Sequence, residues 1–235
     1  MSSPHSSGGM SHSAVRPALF DAYRGVNYDK PRLRGWAHLI SFELALVIGT
    51  LVIAHARGAL HVTAAAIYAG AVVALFGTSA LYHRGTWGPV ASARLQKLDH
   101  LMIIYLIAGT ATPVIILCLH GTAMIVELCV LWTIAMLTAL VRILRMNAPE
   151  GVVGALYIGL GWSAGLAIPA VWVHAGVTPA LLLIIGGLLY TAGAVSYHRR
   201  RPDPDPSVFG YHEVFHAYVS VAAACHYVAI ACFVL

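Results

Sequence analysis

The chain has 235 residues, of which 59% are hydrophobic and only 10% are charged, and its mean hydropathy is +0.78. Soluble domains carry about 25% charged residues, so this composition excludes an ordinary soluble fold and indicates a membrane protein. The net charge of +5 would suit nucleic acid, but the positions of the basic residues argue against a nucleic-acid partner.

Seven apolar stretches follow one another along the chain, and each has the about 20 residues that a helix needs to cross a bilayer. We therefore predict an all-α fold, a bundle of seven transmembrane helices at residues 36–55, 61–83, 98–118, 122–142, 151–173, 178–197 and 212–234. Short connections between them predict a single transmembrane domain, residues 31–235. Residues 1–30 are rich in Ser and Gly and lack an apolar core, so we expect a disordered cytoplasmic tail and no cleaved signal peptide.

The basic residues are distributed very unequally between the two ends of this bundle. Of the 14 Lys and Arg residues, Arg57 alone follows the first helix, whereas the others precede helix 1 or follow helices 2, 4 and 6. The positive-inside rule then places the N-terminus in the cytoplasm and the C-terminus outside. The positive charge is accordingly interpreted as a topology signal, with some attraction to anionic lipid headgroups.

Three histidines form a candidate metal site at the cytoplasmic edge. His212 and His216 are spaced i, i+4, so both imidazoles leave one face of helix 7. His83, at the inner end of helix 2, is expected as a third ligand. Three imidazoles with an open fourth position suit Zn²⁺, which lowers the pKa of its bound water to about 7 and so provides a nucleophile.

Other polar residues are predicted at the same level of the bilayer. Asp99, at the start of helix 3, is the candidate to orient the water or take its proton, and Ser79 is the candidate donor to a developing oxyanion. His38 opens helix 1 at this edge. Glu43, about two turns into helix 1 on the same side, is a further candidate to line a substrate cavity.

The run from His212 to His216 also fits H-E-x-x-H, the helix signature of zinc metalloproteases. In that interpretation Glu213 is the general base, and the third ligand lies elsewhere, conceivably at Asp99. In the three-histidine interpretation Glu213 is a bystander, about 100° round the helix from His212. Both interpretations place zinc at His212 and His216.

Several motifs resemble those of bacterial hemolysin III proteins over about residues 25–235. They are Lys30–Trp36, Ala80–His83, Leu98–His100, Ala108–Pro113, Arg201–Pro204 and Phe209–His216. That family is similar to the adiponectin and progestin receptors and, more distantly, to alkaline ceramidases.

The resemblance implies seven helices with the N-terminus inside, zinc near the cytoplasmic face and a bacterial plasma membrane location. The family's Ser-x3-His matches Ser79 and His83, its helix 3 Asp matches Asp99, and its His-x3-His matches His212 and His216. His38 resembles a histidine of the receptors' helix 1 motif, although Arg34 stands where the receptors have Asn four residues earlier.

These observations leave four functions open. The first is metal-dependent hydrolysis of a lipid amide or ester, entered from the inner leaflet, as the ceramidase relatives suggest. The second is a membrane sensor in which zinc ties helices 2 and 7 together. The third is the pore that the family's name suggests, although the fifth and sixth helices lack polar stripes. The fourth is an intramembrane metalloprotease.

Overall fold

The structure, a computed structural model, describes residues 19–21, 26–28, 30–145 and 148–235. Within these ranges it contains eight α-helices and one short β-hairpin. The helices are α1 (Trp36–His55), α2 (Ala59–Arg84), α3 (Pro89–Cys118), α4 (Gly121–Leu144), α5 (Glu150–Ser163), α6 (Ile168–Ala175), α7 (Val177–Arg199) and α8 (Tyr211–Ala229).

Seven stretches of these helices are long and apolar enough to cross a membrane, which confirms the predicted seven-helix bundle. The fifth span consists of α5, a 3-10 turn over Ala164–Ala167, and α6. Pro169 explains this irregular turn, because proline has no N–H to donate to the carbonyl four residues earlier in an α-helix. The seventh span is α8, which ends in a π-helical turn, Ile230–Val234.

The third helix begins nine residues earlier than the predicted residue 98. Pro89 lies in the first turn of α3, where its fixed φ favours helix initiation and its missing N–H costs nothing. The first turns of α3 carry Arg94 and Lys97, so they do not stand out as an apolar stretch. The prediction of this boundary was wrong because hydropathy detects the bilayer-spanning part of a helix and not its full length.

The described part of the N-terminal segment is a pair of antiparallel strands, β1 (Leu19–Asp21) and β2 (Val26–Tyr28). The rest of the predicted tail, residues 1–30, lies outside the described residues apart from Lys30. The predicted disorder of those remaining residues is therefore still a prediction.

Burial differs strongly among the spans, and α3 is the central helix. Its most apolar window is 67% buried inside the bundle, whereas that of α1 is 11% buried. Gly109 of α3 lies so close to Ala71 of α2 that a Cβ at Gly109 would collide with the alanine methyl. Small residues thus let α2 and α3 approach closely, as is common in membrane helix packing. The exposed apolar side chains of α1, including Leu44, Val47 and Leu51, are suited to contact lipid.

One end of the bundle, here called the basic end, brings together the start of α1, the ends of α2, α4 and α7, and the starts of α3 and α8. The backbone N–H groups of Arg32 and Leu33 donate to the carbonyls of Ser207 and Val208, both at 3.0 Å. The Ser196 hydroxyl donates to the Arg201 carbonyl at 2.7 Å. These bonds fix the loop before α8 against the segment before α1, and so set the position of the first turn of α8.

Candidate metal centre

His83, His212 and His216 come together at the basic end. Each offers one ring nitrogen, and the three nitrogens lie within 4.8 Å of one another. The side chains of His83 and His216 are buried, and His212 is half-buried. The second and seventh spans therefore bring their imidazoles to one point inside the bundle, as the residue spacing predicts.

The spacing of these nitrogens fits a metal ion. His83 Nε2 and His212 Nε2 are 3.3 Å apart. Two nitrogens bound tetrahedrally to one zinc, each at about 2.0–2.1 Å, are separated by about 3.3–3.4 Å. His216 Nδ1 is buried and has no hydrogen-bond partner among the described residues. Buried polar atoms are nearly always satisfied, so the arrangement of the three rings suits a shared cation.

Asp99 and Ser79 lie next to this cluster. An Asp99 carboxylate oxygen, Oδ2, is 3.8 Å from His83 Nε2, a distance too long for a hydrogen bond but short enough for an electrostatic contact. The Ser79 hydroxyl makes a side-chain hydrogen bond with Asp99. Both side chains are buried, so the Asp99 carboxylate is held in a fixed place beside the imidazoles.

His38, on α1, packs against the cluster. Its ring stacks on that of His216, with centroids 3.8 Å apart and an interplanar angle of 12°. His38 Nδ1 is 2.8 Å from Ser79 Oγ. His38 is thus a positioning residue for both His216 and Ser79.

Glu213 is held by other groups and does not face the cluster. One carboxylate oxygen pairs with Arg34 Nε, and both side chains are buried. The other accepts the backbone N–H of Gly210 at 2.9 Å, which caps the first turn of α8. This arrangement agrees with the bystander interpretation and gives no support to Glu213 as a general base.

Glu43 is not brought to the site. Its side chain is exposed on α1, and it is absent from the residues that line the cavity described below. The structure therefore separates it from the imidazoles, although both lie toward the same half of the bundle.

A cavity of about 1030 Å³ leads from the basic end past Asp99, His212 and His216 into the bundle. Its deep walls are largely apolar and include Leu75, Leu106, Ile158, Leu183 and Val219. His226, whose Nε2 donates to the Leu183 carbonyl at 3.1 Å, lies at the deep end. The cavity places an apolar binding space directly beside the candidate metal centre.

His100 and Arg142 also line this cavity, and sequence reasoning gave them no role. Arg142 donates to His100 Nδ1, and the Tyr157 hydroxyl donates to the His100 carbonyl at 3.2 Å. Arg142 is buried, which is unusual for a residue that the sequence places at a helix end. The sequence signal for a role of Arg142 was its position in the fourth predicted span, because charges within spans usually face a cavity or a partner.

Lys30 lies close to the site, in the segment before α1. Its ammonium donates to the Gly85 carbonyl at 3.1 Å. Partial burial lowers the pKa of Lys30, and the nearby charges of Arg34 and Arg84 lower it further. A cluster of like charges is therefore collected close to the imidazoles.

A seven-span bundle with a buried histidine cluster at one end defines a multi-pass membrane protein. The chain belongs to the haemolysin-III related family, whose model matches residues 26–227. It is similar to the hemolysin-3 homolog of Bacillus subtilis (strain 168), with 25% identity over 175 residues, 74% of this chain and 79% of that protein. It is also similar to hemolysin-3 of Bacillus cereus, with 29% identity over 157 residues, 65% of this chain and 71% of that protein. The seven spans and these bacterial relatives identify a multi-pass bacterial membrane protein.

The pairing of Glu213 with Arg34 yields a prediction about stability. Glu213→Gln keeps an oxygen for the Gly210 N–H but removes the carboxylate charge from a buried ion pair, and breaking such a pair costs up to about 3–5 kcal/mol. We expect a clear loss of thermal stability in detergent. The double variant Arg34→Met, Glu213→Gln should recover part of it because the buried guanidinium is removed together with the carboxylate. A Glu213→Gln protein as stable as the parent would contradict a structural role for this ion pair.

Proposed function

We propose that this protein is a zinc-dependent hydrolase that cleaves an amide or ester bond of a membrane lipid at the inner leaflet. The observation that carries the proposal is the convergence of three imidazole nitrogens within 4.8 Å at the wall of a large apolar cavity. Pockets of roughly 300–1,000 Å³ are typical of small-molecule sites, and the apolar lining suits an acyl chain.

The distribution of Lys and Arg supports an inward-facing basic end. Cytoplasmic loops of membrane proteins carry an excess of these residues, and the ends of α2, α4 and α7 carry Arg84, Arg142 and Arg199. The N-terminus then lies in the cytoplasm and the C-terminus outside. A lipid substrate would enter with its headgroup at the cytoplasmic surface.

His83, His212 and His216 would hold the zinc through neutral imidazoles. Zinc bound there would act as a Lewis acid and make a water nucleophilic at neutral pH. Asp99, whose carboxylate lies 3.8 Å from His83 Nε2, would take the proton of the attacking water and later deliver it to the leaving amine or alcohol. The Ser79 hydroxyl and His38 keep the carboxylate and the His216 ring in place.

Among the described residues, the histidine cluster contains three candidate ligands and no fourth. Structural zinc sites usually have four protein ligands, whereas catalytic sites keep one position open. This difference supports hydrolysis over a sensor that uses zinc only to join two helices. The pairing of both Glu213 oxygens likewise supports the lipid hydrolase over the metalloprotease.

The metal assignment predicts which histidines are needed for zinc. Purified parent protein should contain about one zinc per chain, and His83→Ala and His216→Ala should each lose most of it because two imidazoles hold zinc far less tightly than three. Elemental analysis by plasma mass spectrometry measures this content. His226→Ala is the control, since His226 is another histidine of α8, half-buried and outside the cluster. Full zinc retention in the His83→Ala, His216→Ala double variant would refute the site.

The proton-transfer role predicts a separation of metal binding from turnover. Asp99→Asn should keep its zinc but lose about 10²–10⁴-fold in the hydrolysis rate of a lipid amide or ester, because general acid-base groups contribute that much. Mass spectrometry of the released fatty acid measures the rate. Glu127→Gln, which changes a carboxyl near the opposite end of the bundle, should leave the rate unchanged. Equal rates for Asp99→Asn and the parent would remove Asp99 from the mechanism.

A further inference from the structure

The wall that α3 contributes to the cavity changes character along its length. Arg94 and Lys97 line the mouth, Asp99 follows beside the imidazoles, and the lining residues from Ile103 to Val114 are apolar apart from Thr110. A helix rises 1.5 Å per residue, so Arg94 lies about 7.5 Å above Asp99, and Val114 lies about 22 Å below Asp99. One helix therefore presents, in order, cations, the reactive centre and a long apolar surface.

The mouth of the cavity carries an excess of positive charge. Arg94 and Lys97 of α3 and Arg199 of α7 line it, and Arg142 of α4 lines the cavity beside His100, so that three helices contribute. Asp99 is the only carboxylate among the described lining residues, and it lies below the mouth. Among the described residues of the cavity wall, four cations are therefore matched by a single carboxylate.

The positive-inside rule explains why Lys and Arg are at this end of the bundle, but not why these four face the cavity. Other cations at the same end are directed elsewhere. Arg84 stacks over the Trp36 ring at 4.2 Å, and Arg34 pairs with Glu213. Arg145 is exposed just after α4 and does not line the cavity. The cavity-facing set is therefore distinct from the general excess of charge.

A cationic mouth above an apolar cavity suits an amphiphile with an anionic head. Guanidinium groups bind phosphate oxygens in pairs, and ammonium groups add a point charge. The Lys97 ammonium reaches the Ile143 carbonyl at 3.4 Å, which holds it at the junction of α3 and α4. The depth from Arg94 to Asp99 is comparable to a glycerol phosphate unit, which would put an acyl linkage level with the imidazoles.

We propose that the cavity selects acyl lipids whose headgroup carries a phosphate with net negative charge, bound by Arg94, Lys97, Arg142 and Arg199. This inference rests on the proposed function, because it names the substrate class of the same site. Free inorganic phosphate shares the headgroup chemistry but lacks the acyl chain. We expect the lipid, and not the free anion, to occupy the cavity.

Native mass spectrometry of the full-length protein in detergent tests the selection directly. The protein is offered equal amounts of phosphatidylglycerol and phosphatidylcholine with identical acyl chains. We expect phosphatidylglycerol to be bound in preference. Arg94→Gln and Lys97→Gln should each lower that preference roughly fivefold, the worth of one cation near an anionic lipid. Arg145→Gln, the control at the same end of the bundle, should change it little.

A second pair of variants tests occupancy by the acyl chain. Gly161 lines the cavity and Gly159 does not, and a Cβ at either position meets no heavy atom within 4 Å. Gly161→Leu should weaken phosphatidylglycerol binding about tenfold, the equivalent of roughly two buried methylenes. Gly159→Leu should bind as the parent does.

Equal binding of the two lipids, or an equal effect of Arg145→Gln and Lys97→Gln, would overturn the inference. Displacement of the lipid by millimolar inorganic phosphate would assign the mouth to the free anion and would also overturn it. Lipid binding can be measured in this experiment without zinc and without turnover. A protein that prefers phosphatidylglycerol but cleaves no lipid would therefore contradict the proposed hydrolysis while leaving the selectivity intact.

Discussion

The approach of the His83 ring to the His212 and His216 rings is the constraint on which the rest of the basic end depends. His83 Nε2 and His212 Nε2 lie 3.3 Å apart, within hydrogen-bond distance of each other, whereas the buried His216 Nδ1 has no hydrogen-bond partner among the described residues, and an unsatisfied buried polar atom costs about 1–3 kcal/mol. The fold maintains this geometry from both sides. Small residues bring α2 close to α3, and the loop before α8 is bonded to the segment before α1.

Neighbouring residues at the start of α8 have different roles in this site. His212 and His216 share one helix face, and Glu213 lies about 100° round the helix, where it pairs with Arg34 and caps Gly210. In a metalloprotease, the acid of this motif would act as the general base. In this protein Glu213 instead stabilises the position of the helix. The same five residues fit two motifs, and the partners of Glu213 favour the three-histidine interpretation.

Much of this arrangement could be predicted from the sequence, because two simple signals were strong. Long apolar stretches defined the seven spans, and the i, i+4 spacing with His83 at a helix end defined the histidine cluster. The early start of α3, the stacking of His38 on His216 and the buried pair of Arg142 and His100 were not predicted. Each of these depends on which residues of different helices meet, and periodicity along one helix carries no information about that.

We propose that imidazoles of the second and seventh spans bind one metal ion beside an apolar cavity. X-ray absorption at the zinc edge of the purified protein measures the ligands of that ion. Zinc held by these histidines should show light-atom ligands at about 2.0–2.1 Å with the multiple-scattering pattern of three imidazoles, and no sulfur. A zinc–sulfur distance of about 2.3 Å would instead assign the metal to cysteines, and scattering from a single imidazole would contradict the convergence of the three histidines.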